Sequence, residues 1–343
     1  MPPAVTFGLV AYNQENYVRE AIEGAFAQQF SPLEIILSDD HSADRTFAIM
    51  EEMAASYRGP HTVRARREPS NVGTVQHVMN LARAAGGELL VIAAGDDISY
   101  PDRAEALYEA WSESGAAALA SWHDEIDAKG ELLRRNVSFP PSEFTQLLFA
   151  NEPQVQRVDG FIQTVPGFCA AYPRSFWADL PDPAHPLLVE DGIASALINL
   201  RGQRIYRVPR SLIAYRLLDD SLTVRAGELS LDEIRNRERK IDRHARNLVW
   251  QIDYTIDQAR REGLNMHAAT LRWFNKARNH GEVLADFWAA GPFARFLRLG
   301  KARTRYDATF LLSRLLGFRV FAALRGLIEW RRSRRLTSPA GLP

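Results

Sequence analysis

Apolar and polar positions alternate in blocks through the first hundred residues. Val5-Thr6-Phe7-Gly8-Leu9-Val10-Ala11 is a short β-type run, stopped by Tyr12-Asn13-Gln14-Glu15-Asn16. Tyr17 to Phe30 then places Val18, Ala21, Ile22, Ala25 and Phe26 on one face of a helix. A second strand, Leu33-Glu34-Ile35-Ile36-Leu37, ends in Ser38-Asp39-Asp40-His41-Ser42, and Ser42 or Asp44 is placed to cap a helix from Arg45 to Tyr57. A weaker strand near Val63–Arg66 precedes Asn71-Val72-Gly73 and a helix from Thr74 to Ala85. Leu89-Leu90-Val91-Ile92-Ala93-Ala94 is a continuous apolar strand of the kind buried on both faces. It stops at Gly95-Asp96-Asp97, and a further helix starts near Pro101.

This alternation has βαβ spacing. It predicts an α/β fold with a mostly parallel central sheet and helices on both faces. Ligands of such sheets sit beyond the carboxyl ends of the strands. The clusters Asn13 to Asn16, Asp39-Asp40 and Asp96-Asp97 all follow strand ends, so spacing alone brings carboxylates toward one crevice. From about 120 to 225 the pattern mixes short strands, at Ala117–Trp122, Gly167–Tyr172 and Arg204–Val208, with a helix from Gly192 to Arg201 just after Glu190-Asp191. From 229 onward it is helical, with turn signals at Gly263 and Gly291-Pro292.

Charge divides the chain where the pattern does. Residues 229–343 hold 23 basic and 11 acidic residues, leaving 19 and 31 for residues 1–228, although the net charge of the whole is zero. The organisation expected is an acidic α/β domain over 1–228, a basic helical region over 229–336 and a frayed tail over 337–343. With Cys169 as the one cysteine, an internal disulfide and CxxC-type metal sites are excluded. No signal peptide and no ordinary transmembrane helix is expected, so the location expected is cytoplasmic.

Each acidic pair has chemistry open to it. Adjacent buried carboxylates such as Asp96-Asp97 repel, and a hard divalent cation shared with a phosphate ligand removes that cost. A carboxylate at Asp39-Asp40 can accept a hydrogen bond from a base imide N–H or from ribose hydroxyls. Glu190-Asp191 can supply a general base. Taken singly, each pair reads equally as a solvated turn or an acidic first helical turn.

The ordered set is more specific. Val5 to Asn13, Gln28 to Asp44, Asn71-Val72-Gly73, Gly87-Glu88, Gly95-Asp96-Asp97, Pro101, Gly167-Phe168, Glu190-Asp191, Tyr215-Arg216 and Ser221-Leu222-Thr223 occur in an order that resembles a family 2 glycosyltransferase of the GT-A type, over about residues 4–225. The resemblance implies a nucleotide-diphosphate sugar donor, a UDP-sugar being favoured, and a glycan or glycolipid acceptor, as in surface polysaccharide synthesis. It implies donor contacts from Ala11, Tyr12, Asn13, Glu15, Asp39, Asp40, Asn71, Gly73 and Asp96, with Asp40 preferred for the base. Asp97 takes the place of the metal ligand, for Mn²⁺ or Mg²⁺. Asp191 takes that of the catalytic base in an inverting displacement, and Glu190 orients the acceptor. Two positions depart from the pattern. Ala94 stands where members often carry another acidic residue, and Leu217-Leu218 stands where many carry a metal-binding His, so Asp219 or Asp220 is the substitute, or the metal relies on phosphate and water.

Two other enzyme and binding readings share this fold: a nucleotidyltransferase forming a nucleotide-sugar, and a silent nucleotide- or glycan-binding protein. No GxGxxG follows the first strand and no GK[ST] loop exists, which disfavours a nicotinamide or P-loop site. Residues 295–335 carry 12 basic and two acidic residues among many Phe and Leu, a mixture that suits either peripheral attachment at the inner face of an anionic membrane or packing onto the catalytic domain. No nucleic-acid motif accompanies this charge, so nucleic acid is not an expected partner.

Overall fold

The computed structural model describes residues 4–139, 146, 148–158, 161–218, 231–287 and 297. Two compact units divide the chain, Met1–Leu218 with Tyr254–Thr270, and Asp219–Asp253 with Leu271–Pro343. The boundary expected at 228–229 and the tail over 337–343 fall outside the described residues, as does the segment 295–335 apart from Leu297.

In the first unit, β1 (Val5–Ala11), α1 (Val18–Phe26), β2 (Glu34–Asp39), α2 (Thr46–Ser56), β3 (Thr62–Arg67), α3 (Thr74–Ala84) and β4 (Leu89–Ala94) follow the predicted order. The order β3-β2-β1-β4 is parallel throughout, with Ala11 beside Asp39 and Val10 beside Ala94. Adjacent strand ends therefore carry the candidate loops. β1 is buried along nearly its whole length because helices cover both faces. Phe7 and Leu9 pack with Val18, Ile22, Met50 and Leu107 on one side. On the other, Gly8 lies against Leu81 of α3 so closely that a Cβ would stand 2.5 Å from its Cδ2.

The second half departs from the parallel expectation. β5 (Ile98–Ser99), α4 (Arg103–Ser114), β6 (Ala118–Ile126), β7 (Leu132–Val137), β10 (Ala170–Pro173), α5 (Arg174–Ala178), α6 (Glu190–Leu200) and β11 (Ile205–Arg216) extend the sheet in the order β4-β10-β6-β11-β5. β8 (Arg157–Val158) and β9 (Phe161–Ile162) form a separate two-stranded pair. β10 runs antiparallel to both β4 and β6, and β7 pairs antiparallel with β6. Reversing β10 brings its leading segment, Gly167 to Cys169, to the edge where the parallel strands end.

The second unit contains α7 (Leu231–Arg261) up to Asp253 and α8 (Ala268–Leu284) from Leu271. Ala245, Val283, Leu284, Ala285 and Phe287 form its apolar cluster. Gly281 meets Ala245 closely enough that a Cβ would stand 2.7 Å from the carbonyl oxygen. Arg278 pairs with Asp253 at 2.7 Å, and Arg246 with Asp242 and Asp286 at 2.6 Å each.

Candidate active site

The loops after β1 and β2 are laced together by their own side chains. The Asn13 amide donates to Ser42 Oγ at 2.8 Å, and Asn13 Oδ1 accepts from the Ala43 amide at 2.8 Å. Glu15 Oε2 accepts from the Arg45 amide at 2.9 Å, while its own amide donates to Asp44 Oδ2 at 3.1 Å. Asp44 also receives the Thr46 amide at 3.0 Å, which anchors the start of α2. Asn13 sits at φ +53°, a left-handed conformation that Asn tolerates. Asn13 and Glu15 thus shape the crevice wall, and Tyr12, half exposed, is free to face a ligand.

Asp39 and Asp40 divide their work. Asp40 Oδ1 accepts from the Val72 amide at 2.8 Å, and Oδ2 accepts from the Gly73 amide at 3.0 Å and Asn71 Nδ2 at 3.1 Å. Both oxygens hold the Asn71–Gly73 turn, where Gly73 adopts φ +82°. Asp39 is fully buried; its Oδ2 meets the Ser42 amide at 2.9 Å and Arg67 Nε at 3.1 Å, while Oδ1 has no partner among the described residues. A buried acceptor without a partner is costly in the absence of a ligand. The unpartnered carboxylate oxygen of this pair is thus on Asp39, whereas sequence reasoning had preferred Asp40 for the base.

The Gly95-Asp96-Asp97 turn is held from three sides. The Arg216 amide donates to Asp97 Oδ1 at 2.8 Å and its Nε to the Asp96 carbonyl at 2.8 Å, while Nη2 pairs with Glu20 at 2.6 Å. Arg103, fully buried, donates to the Ile92 carbonyl at 2.6 Å, the Ser99 hydroxyl at 2.8 Å and the Phe168 carbonyl at 3.2 Å. Asp97 Oδ2 is buried and unpartnered among the described residues. Burial, and then the neighbouring Asp96 charge, push the Asp97 carboxyl well above the ordinary range; burial raises Asp96 too. Arg103 and Arg216 oppose that shift on Asp97. Arg216 belongs to the Tyr215-Arg216 pair of the sequence pattern, but Arg103 was not singled out there, although it stands on the buried face of α4 beside Ala104 and Leu107, where a cation signals a buried acceptor.

Glu190 and Asp191 form the first turn of α6 rather than the stretch before it. Gly167 packs against them: a Cβ there would lie 1.9 Å from Glu190 Oε1. The Gly167 and Gly192 amides stabilise the Asp191 carboxylate against burial, which still raises its pKa. Burial and then the Asp191 charge push Glu190 up to about 7. The Val75 amide donates to the Leu187 carbonyl at 3.1 Å, tying the segment before α6 to the Asn71–Gly73 turn. Through Arg103 and Phe168 the same edge joins the Asp96-Asp97 turn. The structure thus gathers Ala11, Tyr12, Asn13, Glu15, Asp39, Asp40, Asn71, Gly73, Asp96, Asp97, Glu190 and Asp191 along one sheet edge. Asp219 and Asp220 lie outside the described residues.

Phe168 stacks on Tyr215 with centroids 4.2 Å apart, and the buried His123 meets both rings edge-on. Trp177 is core, and Cys169 is inert: burial pushes its thiol up to about 12.

The model of glycosyl transferase family 2 matches residues 6–180. The chain belongs to that family. The succinoglycan biosynthesis protein ExoO of Rhizobium meliloti is 29% identical over 132 residues, covering 38% of this chain and 36% of that protein. The chondroitin synthase of Escherichia coli is 26% identical over 139 residues, 40% and 20% of the two chains. An uncharacterized protein of Mycobacterium tuberculosis is 32% identical over 149 residues, 37% and 42%. The matched part spans less than half the length of each of these relatives. Among solved structures, the mannosyltransferase PcManGT from Pyrobaculum calidifontis, in complex with GDP-Man and Mn²⁺, superposes with a TM-score of 0.52 at 18% identity, covering 95% of this chain and 88% of that one. The fold is of the GT-A type. No helix among the described residues is long and apolar enough to cross a membrane.

Proposed function

We propose that this family 2 glycosyltransferase moves a sugar, with inversion, from a nucleotide-diphosphate donor to a hydroxyl of a glycan or glycolipid in polysaccharide synthesis. The observation that carries the reading is the buried, unpartnered Oδ2 of Asp97 beside Asp96, at the edge that also holds Glu190 and Asp191. The polysaccharide context is suggested by the succinoglycan protein among the relatives, and the nucleotide-sugar donor by the complex of the mannosyltransferase.

The residues fit a divalent cation, Mn²⁺ or Mg²⁺, with few protein ligands. Asp97 offers one open oxygen, and among the described residues no three His, Cys, Asp or Glu side chains converge on a point. Held by Asp97, such a cation would supply Lewis-acid stabilisation to the leaving diphosphate. Asp39 Oδ1 is the acceptor for a base imide N–H, which uracil and guanine both carry; the UDP-sugar remains the favoured donor. The acceptor oxygen attacks the anomeric carbon opposite the diphosphate and gives its proton to Asp191. The bond from that carbon to the phosphate oxygen breaks, and the diphosphate leaves with the electron pair. Peripheral attachment to an anionic inner membrane face through 295–335 completes the proposal.

A donor screen by nucleoside-diphosphate release, run with Mn²⁺, with Mg²⁺ and with EDTA, tests it. Release of pyrophosphate instead would mark a nucleotidyltransferase. Asp97→Asn is expected to weaken metal-dependent donor binding by about tenfold or more in calorimetry, and unchanged affinity together with full activity in EDTA contradicts the metal role. Asp39→Ala is expected to remove discrimination among UDP, GDP, dTDP and ADP. Asp40→Ala instead frees the Asn71–Gly73 turn, costing about 1–3 kcal/mol of stability in denaturant unfolding. Base preference retained in Asp39→Ala argues against the assignment.

A further inference from the structure

A cavity of about 710 Å³ opens in the first unit at the edge of the sheet opposite the acidic pairs. Its floor is made where β6 and β11 begin, near Ala117 and Arg204, and where β10 ends at Pro173. Pro173 is in register with Leu89, the first residue of β4, whereas Asp96-Asp97 follow its last. The six residues of β4 separate the two places by about 17–20 Å. Whatever occupies the cavity is not the reacting sugar.

Its walls are polar groups held in place by one another. Arg201 forms a two-pronged pair with Glu262, at 2.8 and 2.6 Å, and its guanidinium covers the ring of Phe176. Gln258 Nε2 donates to Glu262 Oε1 at 2.6 Å. A carboxylate only accepts, so this bond fixes the amide orientation. It leaves Gln258 Oε1, on a side chain more than nine-tenths buried, without a partner among the described residues. Arg204, Gln203 and Asp179 stand exposed at the mouth.

The lining selects a chemical class. Arg201 is neutralised by Glu262, and the charge of Arg204 is offset by the opposite charge of Asp179 in the same lining, so a phosphate gains little from the balance of charge. Guanidinium, amide and carboxylate groups together present paired donors and acceptors, which suit a ligand bearing vicinal hydroxyls. We propose that this cavity is a second saccharide site, which holds a distant part of the acceptor or product glycan while its end lies at the acidic edge. The choice of a saccharide rests on the glycosyltransferase reading. Because the Phe176 ring is already covered by Arg201, no broad aromatic face is offered, and binding is expected to be weak.

The test is an NMR titration of the full chain, saturated with nucleoside diphosphate and Mn²⁺-free Mg²⁺, using cellotetraose, laminaritetraose and chitotetraose as probes. At least one is expected to bind with Kd of about 1–10 mM. Gln258→Leu is expected to weaken it about tenfold, and Arg204→Ala, an exposed change that spares the fold, about threefold or more. Asp191→Asn is expected to leave it unchanged, and inorganic phosphate at the same concentration not to displace it. Absence of binding by all three probes overturns the proposal, as does binding that survives both cavity variants but is lost in Asp191→Asn, or displacement by phosphate. Nucleoside-diphosphate release, measured on the same preparations, separates the two readings. Release without tetrasaccharide binding removes only the second site, and absence of release from every donor removes the glycosyltransferase reading itself.

Discussion

Asp191→Asn is expected to lower single-turnover transfer by about 10²–10⁴-fold, with donor affinity near that of the parent. A sugar hydroxyl is a poor nucleophile until its proton leaves, and a base must be ionised to take it. Of the two carboxyls at the start of α6, Asp191 is the one stabilised as an anion by the Gly167 and Gly192 amides, whereas Glu190 is raised to about 7. Burial still lifts Asp191, so the acid limb of the rate profile is expected above the ordinary aspartate value, with activity rising as pH rises through it. Stability moves the other way. Glu190 binds its proton more tightly folded than unfolded, so its contribution is full below its unfolded value of 4.5 and is lost as pH rises through about 7. Glu190→Gln is expected to flatten that decline in thermal melts. Parent-like turnover in folded Asp191→Asn, on the true acceptor, would remove Asp191 from the mechanism and leave Glu190 as the remaining base among the described residues of this edge.

Arg103→Leu is expected to cost about 3–5 kcal/mol in denaturant unfolding, the largest stability effect at this edge. The guanidinium is fully buried, and burial pulls its pKa down to about 10, still far above neutrality. Its removal leaves the Ile92 and Phe168 carbonyls short of a donor and takes a counter-charge from Asp97. The same substitution made in Asp97→Asn is expected to cost less, because no buried carboxylate is then left unbalanced. A shift in midpoint without a change in slope, smaller in the double variant, is the supporting outcome. An equal cost in both backgrounds places Arg103 in packing alone.

The first half of the fold was legible because its signals are local. The run Leu89–Ala94 appears in the structure with the same bounds, and α3 was misplaced only by its last residue. The second half was less so. Strands near Ala117, Gly167 and Arg204 were visible as β-type runs, but the antiparallel direction of β10 was not, since direction depends on which neighbours a strand finds and not on its own residues. The same limit applies to the arginines. Arg216 reaches Asp97 across 119 positions of sequence, a pairing that no periodicity encodes.

By itself, the sequence determined that carboxylate pairs follow strand ends, because strand length, turn chemistry and helix spacing are local properties, and a parallel sheet places those ends on one edge. It could not apportion the oxygens. Asp39 and Asp40 are chemically identical and adjacent. Only the tertiary structure decided that Asp40 is consumed by the amides of Val72 and Gly73 while Asp39 keeps one buried oxygen open. Likewise, Glu190 and Asp191 carry the same group at the same helix start. Their difference comes from which backbone amides each can reach once Gly167, without a side chain, lets the β10 segment close against them. Hydrogen-bond satisfaction and burial are properties of neighbours assembled from distant parts of the chain, and those are fixed only when it folds.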